Sequence, residues 1–150
     1  MFTRLDHIGI VVPSWDAARG LLLDQFGLSV NEERTSLPDG NYYRPGNTRI
    51  FFVKVALGET DIEVLIPQDH LSGIGRFLER RGPGLHHLCY ASDDPREDAR
   101  LLREKGLEQI MEGGGDIGPE SAPFFHPKSA LGILTEIVRD RRLPPPEPSS

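Results

Sequence analysis

Leu5-Asp6-His7 and Leu85-His86-His87 each open an apolar stretch, and the chain then repeats itself about 80 residues on. Asp16-Ala17-Ala18-Arg19 through Gly27-Leu28 parallels Glu97-Asp98-Ala99-Arg100 through Gly106-Leu107. Ile62-Glu63-Val64-Leu65, late in the first half, parallels Thr135-Glu136-Ile137-Val138, late in the second. A chain written this way folds as two copies of one small unit. The residue patterns within each copy read as β-α-β-β-β, so the expected class is α+β. With 150 residues, the two modules share a single domain.

The elements follow from periodicity and punctuation. Leu5–Val12 is apolar, β-branched and stopped by Pro13, which reads as a strand. Ser14 caps a helix whose stripe is Ala17, Ala18, Leu21, Leu22, Leu23 and Phe26, ending at Gly27. Leu28–Arg34 is expected as a strand, and Ser36–Asn47, with two prolines and two glycines, as a loop. Arg49–Ala56 and Thr60–Pro67 form a hairpin closed at Leu57-Gly58-Glu59. A helix at Leu71–Arg81 links the halves, and Gly82-Pro83-Gly84 turns into the strand Leu85–Ala91. Asp93-Asp94-Pro95 starts the helix Arg96–Lys105. Glu108–Glu112, Ala122–Pro127 and Ile133–Val138 are the remaining strands, with Gly113–Pro119 a loop among them. The domain spans 1–141, with modules at 4–67 and 84–140, a linker helix at 68–83 and a disordered tail at 142–150.

A strand alternates its faces, so His86 and His87 cannot share a ligand. An imidazole in an apolar strand needs a partner, since an unpaired polar group there costs about 1–3 kcal/mol. The repeat supplies candidates. Each half carries a histidine on its first strand (His7, His87) and a glutamate on its last (Glu63, Glu136), all flanked by apolar residues. A pseudo-twofold axis would gather the four at one centre. Taken singly, a strand His is a hydrogen-bonded core residue and a strand Glu faces solvent; equivalence in the repeat changes that reading. Two imidazoles and two carboxylates suit one divalent ion, Zn²⁺, Co²⁺, Ni²⁺, Mn²⁺ or Fe²⁺, rather than Cu⁺.

Composition narrows the classes further. A formal net charge of −6 argues against a nucleic-acid surface, though not against an anionic small ligand. The single cysteine, Cys89, excludes an intrachain disulfide and points to a reducing compartment. No apolar run is long enough for a membrane span, and the N-terminus lacks the form of a signal peptide. The expectation is a cytoplasmic protein with neither membrane nor nucleic-acid partners.

Three segments carry a family resemblance: His7-Ile8-Gly9-Ile10-Val11-Val12, Gly84-Leu85-His86-His87, and Phe125-His126-Pro127-Lys128-Ser129 before Leu134-Thr135-Glu136. Together they resemble the vicinal oxygen chelate superfamily (glyoxalase, bleomycin resistance, dioxygenase), most nearly its methylmalonyl-CoA epimerases. The resemblance spans Leu5 to Val138. It implies a curled mixed sheet around a metal cleft, a homodimer, and a divalent ion held by His7, Glu63, His87 and Glu136. It implies abstraction of the α-proton of an acyl-CoA thioester through a metal-stabilised enolate, with Glu136 as both ligand and catalytic acid/base. His86 would face away from the ion, as a packing residue or in a hydrogen bond to a neighbouring module, His126 would be structural, and His70 would have no role.

One feature of the family pattern is missing. Its second acid/base carboxylate falls near Arg49, and no acid lies between Asn41 and Leu57; Glu33 and Asp39 are the nearest substitutes. Arginine is no base at neutral pH. Arg49 is instead a candidate substrate-binding cation, with Tyr43 of the preceding loop beside it; as a plain alternative, Arg49 is a solvated edge-strand charge. The competing functions are a glyoxalase-like lyase or extradiol-type dioxygenase of the same superfamily, and a metal-free small-molecule binding protein. Paired His and Glu residues in register argue against the last.

Overall fold

The computed structural model describes residues 1–110 and 122–145. Among the described residues, nine strands and three α-helices follow one another as an α+β chain. They are β1 (Phe2–Val11), α1 (Trp15–Arg19), β2 (Ser29–Val30), β3 (Asn41–Tyr43), β4 (Thr48–Lys54), β5 (Asp61–Pro67), α2 (Gly73–Arg81), β6 (Gly84–Ser92), α3 (Pro95–Glu104), β7 (Gln109–Ile110), β8 (Phe124–Phe125) and β9 (Thr135–Arg139). By contacts the chain divides into two compact units, His7–His87 and Met1–Asp6 with Leu88–Ser150.

In the unit His7–His87 the strand order is β2-β4-β5-β1, with β3 also pairing to β4. β1 runs parallel to β5, and β4 antiparallel to it. In the other unit the order is β6-β9-β8-β7, again with the first strand parallel to the last and the remainder antiparallel. Each unit thus places its opening strand beside its closing one. The repeat read from the residues is a repeat of topology.

Helix α1 starts where Ser14, in extended conformation, accepts a hydrogen bond from the Ala17 backbone N–H at 3.2 Å. The helix widens into a π-helical turn over Gly20–Gln25, with the Phe26 N–H donating to Leu21 O at 2.9 Å. That widening shifts the helical phase. Ala18 and Leu22 are buried against Phe51, Val53, Val64 and Ile66, while Leu21 and Phe26 of the expected stripe are exposed. Trp15 stacks on Phe51 with ring centroids 4.0 Å apart. The expected strand Leu28–Arg34 is only Ser29–Val30, because the chain turns at Asn31 to bring Asn31 and Arg34 to Asp61. The expected loop Ser36–Asn47 contains β3, which extends the pairing of β4.

In the second unit Asp94 caps α3 by accepting from the Glu97 N–H at 3.0 Å, and Pro95 occupies the first turn. Ala99 packs with Phe125 and Ile137. Beneath lies a buried charge network. Asp140 accepts from Thr3 Oγ1 at 2.7 Å and from Arg4 Nε at 3.2 Å, and Arg142, at the start of the expected tail, donates to it at 2.9 Å. Arg4 also donates to the equally buried Asp6 at 2.6 Å, as does Arg141. The expected loop at 113–119, the end of the expected strand at 111–112 and residues 146–150 of the expected tail lie outside the described residues. Among the described residues no helix is long and apolar enough to cross a membrane.

The hydrogen bonds from Arg142, followed by those from Thr3 and the charge of Arg4, hold the Asp140 carboxyl far below the ordinary carboxylate range despite its burial. A depressed pKa stabilises the fold above the unfolded-state value of about 4 and loses that contribution as pH falls toward the folded-state value. Thermal denaturation of Asp140→Asn should therefore show a deficit of up to about 3 kcal/mol at pH 7, the low end for orphaning a buried charge because Arg4 keeps Asp6. That deficit should narrow below about pH 4. An equal deficit at both pH values would contradict the network's role.

Candidate metal centre

The unit His7–His87 contains three of the four expected ligands on three different strands. In the parallel register of β1 and β5, Gly9 lies opposite Glu63 and His7 opposite Asp61. His7, Gly9, Asp61 and Glu63 therefore emerge from one face of the pair. The opposite face carries Val64 and Ile66 into the core under α1.

Glu63 Oε2 lies 3.2 Å from His7 Nε2 and 3.1 Å from His87 Nε2, and the two Nε2 atoms are 3.1 Å apart. All three side chains are almost fully buried, at 4%, 4% and 11% exposure for His7, His87 and Glu63. Burial alone would raise the pKa of Glu63. Hydrogen bonds from His7 and His87, together with their charge, outweigh it and pull the carboxyl well below its ordinary value. Glu63 is thus a carboxylate facing two imidazole nitrogens.

The surroundings fix this arrangement. Phe52, registered with Glu63 across β4 and β5, meets the His7 ring edge-on with centroids 5.7 Å apart. The Arg34 guanidinium lies 3.9 Å from the Phe52 ring centroid and donates to Asp61 at 2.8 Å. Gly9 sits directly under the His87 ring, and a Cβ at that position would overlap its atoms. Asp61, Arg34, Phe52 and Gly9 had been given no role from sequence. The signal for Asp61 was present in Asp61-Ile62-Glu63, where alternation puts both acids on one face.

The donor set fits a divalent ion. Once the protons that His7 and His87 direct at Glu63 are released, two imidazole nitrogens and a carboxylate, crowded in a buried space, would offer lone pairs that a cation of borderline hardness satisfies together. Glu136, the fourth expected ligand, lies on β9 in the second unit, half-buried and registered with Cys89 of β6 and Phe124 of β8.

The two expected substrate contacts separate. Tyr43 is on β3, registered with Thr48, so it shares the face of β4 that carries Phe52. Arg49 is registered with Ile66 and lies three residues from Phe52, so it emerges from the opposite face of β4, away from Glu63. Its guanidinium rests 4.8 Å from the Tyr42 ring centroid. The Glu63 side of β4 is made of Thr48, Ile50, Phe52 and Lys54, none of them acidic. Glu33 and Asp39 are exposed in turns. His126 accepts from the Lys128 backbone N–H at 3.1 Å and caps the 3₁₀ turn Pro127–Ser129, and exposed His70 lies 2.9 Å from Glu79.

Residues 6–122 match the family model of the glyoxalase/bleomycin resistance protein/dioxygenase superfamily. The ethylmalonyl-CoA/methylmalonyl-CoA epimerase of Cereibacter sphaeroides is 34% identical over 140 residues, covering 91% of this chain and 98% of that protein. The crystal structure of Mycobacterium tuberculosis methylmalonyl-CoA epimerase superposes with a TM-score of 0.76 at 29% identity, over 92% of this chain and 88% of that one. A variant of Streptomyces coelicolor methylmalonyl-CoA epimerase, solved in complex with 2-nitronate-propionyl-CoA, gives 0.75 at 26% identity over 94% and 99%. With its repeated topology and its buried His–Glu–His cluster, the chain belongs to the glyoxalase/bleomycin resistance protein/dioxygenase superfamily, where these relatives are methylmalonyl-CoA epimerases.

Proposed function

We propose that this protein is a metal-dependent epimerase acting on the α-carbon of a 2-carboxyacyl-CoA thioester of the methylmalonyl-CoA type. The observation that carries this reading is the convergence of His7 Nε2, His87 Nε2 and Glu63 Oε2 within 3.2 Å of one another, in a chain whose relatives are epimerases of such thioesters. His7, Glu63 and His87 would hold the ion, and Glu136 would be the fourth ligand on the strength of the repeat and the family resemblance. A divalent ion in such a site lowers the barrier by taking up the negative charge that develops on the substrate's oxygens as the α-proton leaves.

The chain's own residues do the rest. Glu136 takes the α-proton from one face of the substrate and is able to return it. Phe52 and Ile50 present apolar surface on the Glu63 side of β4, which keeps water from competing for charge there. Because β4 offers no acid on that side, the proton delivered to the second face comes from a group outside this strand. Arg49 is not part of this reading, since it emerges from the other side of β4. Tyr43, on the near side, is the better candidate for a substrate contact. The homodimer is carried over from the family resemblance.

Binding of an ion to the folded state alone raises stability by about 2.7 kcal/mol at 100 times the dissociation constant. For a chain of this size that is on the order of 5–10 °C in Tm. Co²⁺ should raise the melting temperature of the wild-type protein by this amount and leave His7→Ala unmoved. An equal rise in both would place the ion elsewhere.

Incubation of methylmalonyl-CoA in D₂O with Co²⁺-loaded protein should introduce deuterium at C2 with inversion. Glu136→Gln should lower the exchange rate by about 10²–10⁴-fold, the span of a positioned acid/base group. Absence of exchange in metal-loaded protein, or exchange with retained configuration, would contradict the epimerase reading.

A further inference from the structure

His86 and His87 are neighbours on β6 whose rings meet edge to face, with centroids 5.2 Å apart. Strand alternation sends His86 and His87 to opposite faces of β6, and the His86 ring lies edge-on to Phe77 with centroids 4.8 Å apart. Yet its Nδ1 is 2.9 Å from His87 Nδ1. Two imidazole nitrogens at that distance form a hydrogen bond only when one carries the proton and the other offers its lone pair.

A divalent ion on the far side of the His87 ring would decide which does which. There His87 Nε2 faces Glu63 Oε2 at 3.1 Å and His7 Nε2 at 3.1 Å. To offer a lone pair to an ion held there with Glu63 and His7, neutral His87 must release the Nε2 proton that it otherwise gives to Glu63 and carry its proton on Nδ1. That proton points at His86 Nδ1, which accepts it, and His86 keeps its own proton on Nε2. The ring has little room to turn away, because its other side rests on Gly9, where a Cβ would collide with it.

We propose that His86 is a positioning residue: its Nδ1 accepts the Nδ1 proton of His87 and so favours the tautomer in which the His87 Nε2 lone pair is free for an ion held with Glu63 and His7. This rests on reading the cluster as a metal site, where an outer hydrogen bond fixes both the tautomer and the orientation of a ligating imidazole. A purely packing role for His86 would need only its ring against Phe77.

Two variants separate these roles. His86→Phe keeps an aromatic ring against Phe77 and removes the acceptor. His86→Asn places an amide oxygen near the position of Nδ1. Three quantities are measured for each: Co²⁺ affinity by titration, the melting temperature of the metal-free protein, and the tautomer of His87 from its ring ¹⁵N shifts. His86→Phe should lose about 10–100-fold in Co²⁺ affinity, the usual effect of removing such a partner, with its metal-free melting temperature unchanged and the His87 Nδ1–H population reduced. His86→Asn should recover most of the affinity. If the wild-type protein binds Co²⁺ and His86→Phe binds it equally well with an unchanged His87 tautomer, this proposal is overturned and the metal reading survives. If the wild type binds no Co²⁺, both fall.

Discussion

A carboxylate and two imidazoles buried among apolar strands must satisfy one another, because water is not there to do it. Glu63, His7 and His87 meet that demand within 3.2 Å, and much of the unit His7–His87 is arranged to permit it. The parallel register of β1 and β5 puts Gly9, not a larger residue, beside Glu63, and the His87 ring fills the space a side chain would have taken. Phe52 closes the cluster on one side, held in turn by the Arg34 guanidinium, which Asp61 anchors. A half-satisfied polar group here would be worse than an apolar one. The composition of these few positions is dictated from outward to inward by the need to pair every donor and acceptor.

The cluster was legible in the sequence because it is written twice. A lone histidine in His7-Ile8-Gly9-Ile10 has no special meaning, but a second at the equivalent place in a repeat, matched by two strand glutamates, does. The topology was legible for the same reason, since β2-β4-β5-β1 and β7-β8-β9-β6 are one order read twice. Arg49 stands on the face of β4 opposite Phe52, and the sequence leaves that face open because strand faces alternate with a period of two and an insertion upstream leaves the phase undetermined by one residue. One residue of slip is enough to move it to the helix-covered side. The π-helical turn after Arg19 escaped for a related reason. Leucines at positions 21, 22 and 23 satisfy more than one helical phase, and only the packing of Ala18 and Leu22 chooses between them.

The same chain shows why conserving the fold and conserving the chemistry are separate matters. The second unit keeps its shape through Ala99, Phe125 and Ile137 and through the paired charges of Arg4, Asp6 and Asp140, none of which the proposed reaction uses. The Glu63 side of β4, by contrast, carries Thr48, Ile50, Phe52 and Lys54 where an acid was expected from the family pattern. Differences in stereochemical outcome or substrate among such proteins are to be sought at these positions and in the strand β3 that pairs with them.

The central claim is that the buried cluster holds one divalent ion, and the most direct test is X-ray absorption of the Co²⁺-loaded protein combined with metal analysis of protein purified without chelator. The account predicts one ion per chain, with a first shell of nitrogen and oxygen at about 2.0–2.2 Å that includes two imidazoles. Retention of no divalent ion, or a shell without imidazole, would contradict it.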